Sequence, residues 1–348
     1  MQNPANELTI TLLIGGTADS PTGSVARALV ASPVAPSAAA PVADEHDSFA
    51  LDLAERLGDH AAMGQRGAAV VELHPSVDLT ETALVLDAVF GELATDGTPV
   101  GLGEIIVVVS AVSARAELFD TVAGDVDFET PERLATRIEL ATVVVVTDCH
   151  LVSRAHLREV LGLIEKLAPR APRLLSSGRI DPAALARHAR GDRRLGIGRS
   201  AGWMRELSGR GELPTSISGI STMIFDDPRP FHPLRLAEVI ETCGERDIVG
   251  QILRSRGFIR LASRPDTVGS WASAGPALTI ESTSMSSWSS DSPTGQQLVF
   301  YGKGLQHETL VNLLSAALLA DDEFIAGPME WATYVDPFPV WHDAEAEH

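Results

Sequence analysis

The stretch LLIGGTADSPTGSVARALV, residues 12–30, holds the clearest spacing for chemistry in this chain. An apolar run, Leu12 to Ile14, breaks at Gly15–Gly16. It turns through a Gly/Ser/Pro-rich loop and enters a helical pattern from Val25 to Val30. Strand, glycine loop and helix is the layout of a phosphate-binding loop. There a Gly-x4-Gly-Lys-Ser/Thr sequence offers backbone N–H groups to phosphate, a lysine to the outer phosphates and a hydroxyl to Mg²⁺. Here four residues after Gly15 lead to Ser20, and four after Gly16 lead to Pro21, so the second glycine is missing. Pro21 has no N–H to give. Aligned on the helix start, the lysine position falls on Thr22, and the chain's two lysines, Lys166 and Lys303, lie far away. The outline of the loop is kept and its charge is lost, which reads first as a plain turn between strand and helix.

Three other groupings carry ligand or partner chemistry. Asp148-Cys149-His150 follows an apolar strand pattern, at the strand end where α/β folds bind ligands. All three are metal-ligand types, but successive strand residues point to opposite faces, so they do not readily converge. Asp44-Glu45-His46-Asp47 is an acidic turn with the same residue types, His46 being its imidazole. Arg254, Arg256 and Arg260 alternate along one strand pattern and so line one face of a sheet. Left exposed, that row suits an acidic or phosphate-bearing partner; otherwise it pairs with Asp266 and Glu281. No Ser/His/Asp or Cys/His arrangement for nucleophilic catalysis stands out.

The elements that must position these residues alternate. Residues 67–73 read as an apolar strand, and the β-branched apolar runs at 104–112 and 141–148 as strands buried on both faces. Helical patterns lie between and after them, at 49–58, 79–93, 131–140 and 153–168, the last with Ser153 as N-cap. A short strand at 172–177 and a helix at 181–189, capped by Asp181 with Pro182 at its first position, complete the series. This predicts a doubly wound, mostly parallel α/β domain over 1–195. Residues 31–43 are Pro/Ala-rich and read as a flexible loop. From 215 to 341 the order becomes β-α-β-β-β-α, with strands at 218–225, 250–262, 275–281 and 296–304, helices at 232–244 and 307–319, and a Ser-rich loop over 282–296. That order predicts a smaller α+β domain with an antiparallel sheet. His232, between two prolines, reads as a helix cap. Trp331, Tyr334, Phe338 and Trp341 read as aromatics that fix a tail onto a core.

Composition narrows the function classes. The 348 residues carry a net charge of −20, which argues against a general nucleic-acid binder. Ten arginines between Arg170 and Arg210 form a local basic stretch, most simply a solvated surface. Two cysteines, Cys149 and Cys243, imply no disulfide framework. No run reaches the roughly 18 apolar residues of a membrane span, and no leader pattern opens the chain, so the expected compartment is the cytoplasm. Arginine over lysine with abundant Ala and Val is the composition of a GC-rich bacterial genome.

The stretches ISTMIFDDPRPFHPLRLAEVIE, ILRSRGFIRLASRPDTVGSWASAGPALTIE and LADDEFIAGPMEWATYVDPFPVW resemble the C-terminal domain of the CobW family, P-loop GTPases that handle zinc or cobalt. RIELATVVVVTDCHLVSRAHL resembles the family segment with the guanine-specificity motif. Carried over by position, the resemblance places the P-loop Lys and Ser/Thr on Thr22 and Gly23, beside Ser24. It places the guanine motif on Thr147-Asp148-Cys149-His150, where a histidine, His150, replaces the guanine-reading aspartate, and the acidic residue of the Walker B strand on Glu72. The family's Cys-x-Cys-Cys metal motif has no counterpart. The resemblance therefore implies a CobW-like protein with a degenerate GTPase site, acting by binding a protein partner in bacterial zinc homeostasis, with a link to the ribosome under zinc limitation. That reading needs no cofactor. The alternative is a working metallochaperone that uses GTP with Mg²⁺ through non-standard residues and carries zinc.

Overall fold

A computed structural model describes residues 7–29, 46–120, 129–176, 201–211, 219–275 and 277–341. The helix expected at 181–189, Asp44, Glu45 and most of the arginine-rich stretch lie outside them. The chain divides into two compact units, Met1–Ala116 with Arg133–Gly202, and Glu117–Glu132 with Trp203–His348.

The first unit is built on a parallel sheet of β1 (Leu8–Gly15), β2 (Gly67–Glu72), β3 (Val100–Ser110), β4 (Val143–Thr147) and β5 (Arg173–Leu175), in the order β2-β1-β3-β4-β5. Its helices are α1 (Thr22–Leu29), α2 (His46–Ala62), α3 (Leu79–Thr95), α4 (Ala111–Leu118) as far as Ala116, α5 (Glu129–Leu140) from Arg133 onward and α6 (Arg154–Leu167). Both faces of the sheet are covered, as the unbroken apolar runs require. Leu13, Ile106, Val108, Val143 and Val145 pack with Val25 of α1 on one face. The alternate residues Leu12, Ile14, Val107, Val109, Val144 and Val146 are equally buried on the other. Ser153 caps α6 as expected, accepting from His156 N at 3.2 Å. Strand order reverses between β1 and β3, so the glycine loop after β1 opens at the topological switch point.

The second unit holds α7 (Gly202–Leu207) from Trp203 onward and an antiparallel sheet. Its strands are β6 (Ile220–Asp227), β7 (Gln251–Ile259), β8 (Thr267–Ala274), β9 (Ala277–Ser286) and β10 (Gln296–Lys303), in the order β6-β10-β7-β8-β9. Helices α8 (Pro233–Cys243), α9 (Arg246–Val249) and α10 (His307–Ala317) accompany it. Leu236, Val239, Leu310 and Leu314 from the helices share one core with Met223, Phe225, Trp271, Leu298 and Phe300 from the sheet. Sequence patterning misses β8, because TVGSWASA is rich in the small residues that elsewhere mark turns. Those residues have reasons to be small. Ser273 Oγ meets Ser255 Oγ at 2.5 Å, and Ser255 also accepts from Trp271 Nε1 at 2.7 Å. A Cβ on Gly269 would stand 2.9 Å from the Trp341 ring. The loop expected over 282–296 is shortened in the same way, since β9 runs on to Ser286.

After α10 the chain forms a strap, with α11 (Asp321–Ala326), α12 (Pro328–Trp331) and an irregular stretch to Trp341. The four aromatics fix it as expected. Trp331 is buried with Ala262 and Leu319, and Tyr334 packs against that cluster. Phe338 and Trp341 pack on the main core. His232 sits at the N-cap of α8 but makes no side-chain capping bond; its ring stacks on Tyr334 at 4.9 Å instead. Arg264 donates to Asp336 at 2.8 Å and lies 4.3 Å from the Trp341 ring centroid. Arg235 grips Glu323 with both terminal nitrogens, at 3.0 and 2.5 Å.

That grip holds the Glu323 carboxyl down at about 2, with the Arg235 hydrogen bonds as the leading cause, against an ordinary value of 4.5. A carboxylate whose value is lowered by folding stabilises fully above its unfolded value, and the contribution drains away as pH falls through the folded one. The strap should therefore loosen between about pH 4.5 and pH 2. Tryptophan fluorescence followed through an acid titration is expected to change in that window, and Glu323→Gln to remove the step. An acid titration indifferent to that substitution would place the strap's hold elsewhere.

Candidate functional site

The site is built at the carboxyl edge of the first sheet, from the loop after β1 upward. Gly15 ends β1, and a Cβ there would stand 2.6 Å from Thr17 O, so the tight turn demands glycine. Gly16 N donates to Val108 O of β3 at 2.7 Å. The loop then folds on itself. Thr17 N donates to Ser20 Oγ at 3.2 Å, Ser20 N to Thr17 O at 3.2 Å and Thr22 N to Ser20 O at 2.8 Å. Four N–H groups of a loop shaped to face phosphate are thus satisfied from within the sheet and the loop. Ser20, standing where the phosphate-binding pattern has its second glycine, supplies the side chain that closes the turn.

Thr22 begins α1 and its hydroxyl donates to Glu72 Oε1 at 2.5 Å. Glu72 ends β2, the strand next to β1. In phosphate-binding loops the Ser/Thr hydroxyl and the acidic residue of the neighbouring strand share the Mg²⁺. The contact therefore places Thr22 at the hydroxyl position, one residue earlier than the resemblance implied, and Pro21 at the lysine position. Gly23 follows Thr22 within α1, and Ser24 Oγ donates back to Pro21 O at 3.0 Å.

One residue that sequence reasoning missed organises the edge. Arg137 of α5 is 2% exposed. Its guanidinium donates to Gly15 O at 2.9 Å, Gly16 O at 3.3 Å and Val77 O at 3.2 Å, and also to Pro75 O. It ties the glycine loop to the loop after β2. Burial lowers its value to about 10, with Arg133 adding to the fall and Asp78 opposing it. The only sequence signal was a basic residue on an amphipathic helix, and that says nothing about which way it points.

At the end of β4, Thr147 Oγ1 donates to Asp148 Oδ2 at 3.1 Å, and Asp148 takes a left-handed φ of 55°. Cys149 Sγ donates to Val146 O at 3.4 Å, and burial, ahead of a smaller push from Asp148, raises its thiol value. That disfavours the thiolate, the form that binds metal. His150 is exposed. Among the described residues no three His, Cys, Asp or Glu side chains converge. His46 opens α2, and its side chain lies outside what the structure describes.

The arginine row of β7 does not form an open face. Arg254 is fully buried, pairs with Glu132 and donates to Ser273 O at 3.2 Å. Arg256 lies 3.9 Å from the same Glu132 and 5.9 Å from the Trp203 ring centroid. Arg260 lies 5.9 Å from the Trp288 ring centroid, and Trp288 Nε1 in turn donates to Asp266. For Arg254 and Arg256 the acceptor is Glu132, far away in sequence, in place of the expected Asp266 and Glu281.

Residues 220–318 match the cobalamin synthesis protein CobW C-terminal domain. The resemblance to the CobW family stands. A zinc-regulated GTPase metalloprotein activator of Dictyostelium discoideum is 29% identical over 236 residues, 61% of this chain and 49% of that protein. A zinc chaperone of Mycobacterium tuberculosis is 32% identical over 149 residues, 36% of this chain and 35% of that protein. The chain thus spans half or less of the curated relatives it matches. A zinc-bound YjiA GTPase from E. coli is 14% identical with a TM-score of 0.38, covering 90% of this chain and 100% of that one. At that score the match adds nothing to the strand order given above. No helix among the described residues is long and apolar enough to cross a membrane.

Two substitutions test the construction of this edge. Arg137→Met leaves the carbonyls of two loops without donors and should cost about 3 kcal/mol, read by urea denaturation of the full chain. A loss under about 1 kcal/mol would mean that the loops hold themselves. Ser20→Gly with Pro21→Lys reopens the turn and restores a cation. It is expected to bind inorganic triphosphate with Mg²⁺ at least about tenfold tighter than the unaltered chain, by calorimetry. Equal binding would show that the closure does not depend on these two residues.

Proposed function

We propose that this chain is a CobW-type binding factor that does not turn over GTP. It acts in the bacterial cytoplasm, in zinc homeostasis, by holding a protein partner. The observation that carries the reading is the closed loop at the switch point. Ser20 accepts from Thr17 N and Thr22 N, two of the loop N–H groups a phosphate would use, and Pro21 stands where a lysine would reach the outer phosphates. Phosphoryl transfer depends almost wholly on such positioning and charge. The residues present do not fit a bound nucleotide, and His150 in place of a carboxylate gives the guanine edge no acceptor pair. Zinc enters through the company the chain keeps, since the relatives above are named for zinc. A ribosomal partner under zinc limitation is the narrowest form of the reading, supported by the basic stretch between Arg170 and Arg210.

A second reading has one observation in its favour. The Thr22–Glu72 pair keeps the two side chains that share Mg²⁺ in working phosphate-binding loops. On that reading the chain is a GTP-dependent metallochaperone with non-standard residues and carries zinc as cargo.

Titration with GTP and Mg²⁺, followed by phosphate release, separates the two. The expected result is no turnover above buffer. Turnover abolished by Thr22→Ala would establish the second reading and sink the first. Zinc gives an independent check. With one cysteine in the first unit and its thiolate disfavoured, no stoichiometric zinc should survive dialysis. Zinc that is retained, and lost on Cys149→Ser, would overturn that expectation.

A further inference from the structure

The strap is apolar on both sides. Its inward side is accounted for by Trp331, Tyr334, Phe338 and Trp341, with Arg235 and Arg264 as polar fasteners. Its outward side carries Ile325 at 82% exposure, Met329 at 91% and Val335 at 68%. Phe324, though stacked on Trp331 at 5.4 Å, is still 42% exposed. Single exposed apolar side chains need no explanation, but several on one short segment do. The segment is not loose: Trp331 Nε1 donates to Glu323 O at 2.6 Å, and Ser263 and Arg264 both hold Asp336. The apolar side chains are held in water by a fastened backbone.

The charge around them selects the occupant. From Leu319 to Trp341 the sequence has five acidic residues and no Lys or Arg. Glu323 and Asp336 are held by Arg235 and Arg264, and Asp321 lies within the field of Arg229, which leaves Asp322 and Glu330, both exposed. An acidic rim repels nucleic acid and anionic membrane. It also repels a second copy of itself in a symmetric contact, because like charges would face each other. What it fits is a polypeptide surface with an apolar centre and a basic rim.

We propose that the outer face of the strap, centred on Ile325 and Met329, is a docking surface for a basic, amphipathic polypeptide segment. The proposal stands whether or not the chain uses GTP.

The probe is a labelled synthetic helical peptide with a leucine stripe flanked by lysines, followed by fluorescence anisotropy with the full chain. The peptide should bind. Ile325→Ser with Met329→Ser changes no charge and should weaken binding by at least about tenfold, with the circular dichroism and melting temperature unchanged. A peptide with glutamates in place of the lysines should not bind, and a lysine peptide without the leucine stripe should bind no better to the unaltered chain than to the double variant. Lack of binding by the leucine–lysine peptide would overturn the proposal, as would equal affinity for the unaltered chain and the variant. So would preferential binding to lipid vesicles, or a dimer in sedimentation that the double substitution dissolves.

Discussion

A guanidinium taken out of water must be given acceptors in return, and Arg137 takes four backbone carbonyls. Two come from the end of β1 and the glycine that follows it, and two from the turn after β2. The first of those turns is the glycine loop, so one side chain sets its spacing from the turn after β2. The same bonds limit what the site can do. Carbonyls turned toward a buried cation fix the course of the loop, and with it Ser20 and the N–H groups that Ser20 closes. The Thr22–Glu72 contact survives inside this frame because it links the first residue of α1 to the last of β2, and both are set by the sheet.

The second unit uses arginine in a similar way but toward carboxylates. Arg235 and Arg264 fasten the strap, and Arg254 and Arg256 share Glu132. A planar fork with several donors can hold a carboxylate and a neighbouring carbonyl together. Arg235 does this with Glu323 and Leu318 O, and Arg264 with Asp336 and Phe338 O. Neutral groups complete the interior. Gln296, fully buried, accepts from Arg260 N and donates to the carbonyls of Arg229 and Arg260, tying the start of β10 to the ends of its neighbours.

The sequence was most readable where burial is uniform. β3 and β4 announce themselves because a strand covered on both faces has no reason to alternate. The C-terminal aromatics were legible because large rings clustered in a short tail have few other uses. Legibility failed where a residue's role depends on a distant neighbour. β8 looks like a turn until Ser255 and the Trp341 ring are placed beside it. Arg254 looks like an exposed cation until Glu132 arrives from far away in the chain. At the glycine loop, composition revealed the missing lysine, but the register of Thr22 needed the hydrogen bond to Glu72. His232 carried a capping signal in its flanking prolines, yet its ring found an aromatic partner about a hundred residues on.

Gly269 and Trp341 draw two ends of the second unit into a single inheritance. The indole occupies the volume that any side chain at 269 would need, and its Nε1 donates to Ile280 O at 3.1 Å on the adjoining strand. A lineage that keeps the tryptophan keeps the glycine, and one that sheds the tail can enlarge position 269 only where Ile259, 2.9 Å from the same point, also gives way. Substitutions at the two positions are therefore expected to co-vary across descendants of this fold, seventy-odd residues apart and with no bond between them, because they compete for one space.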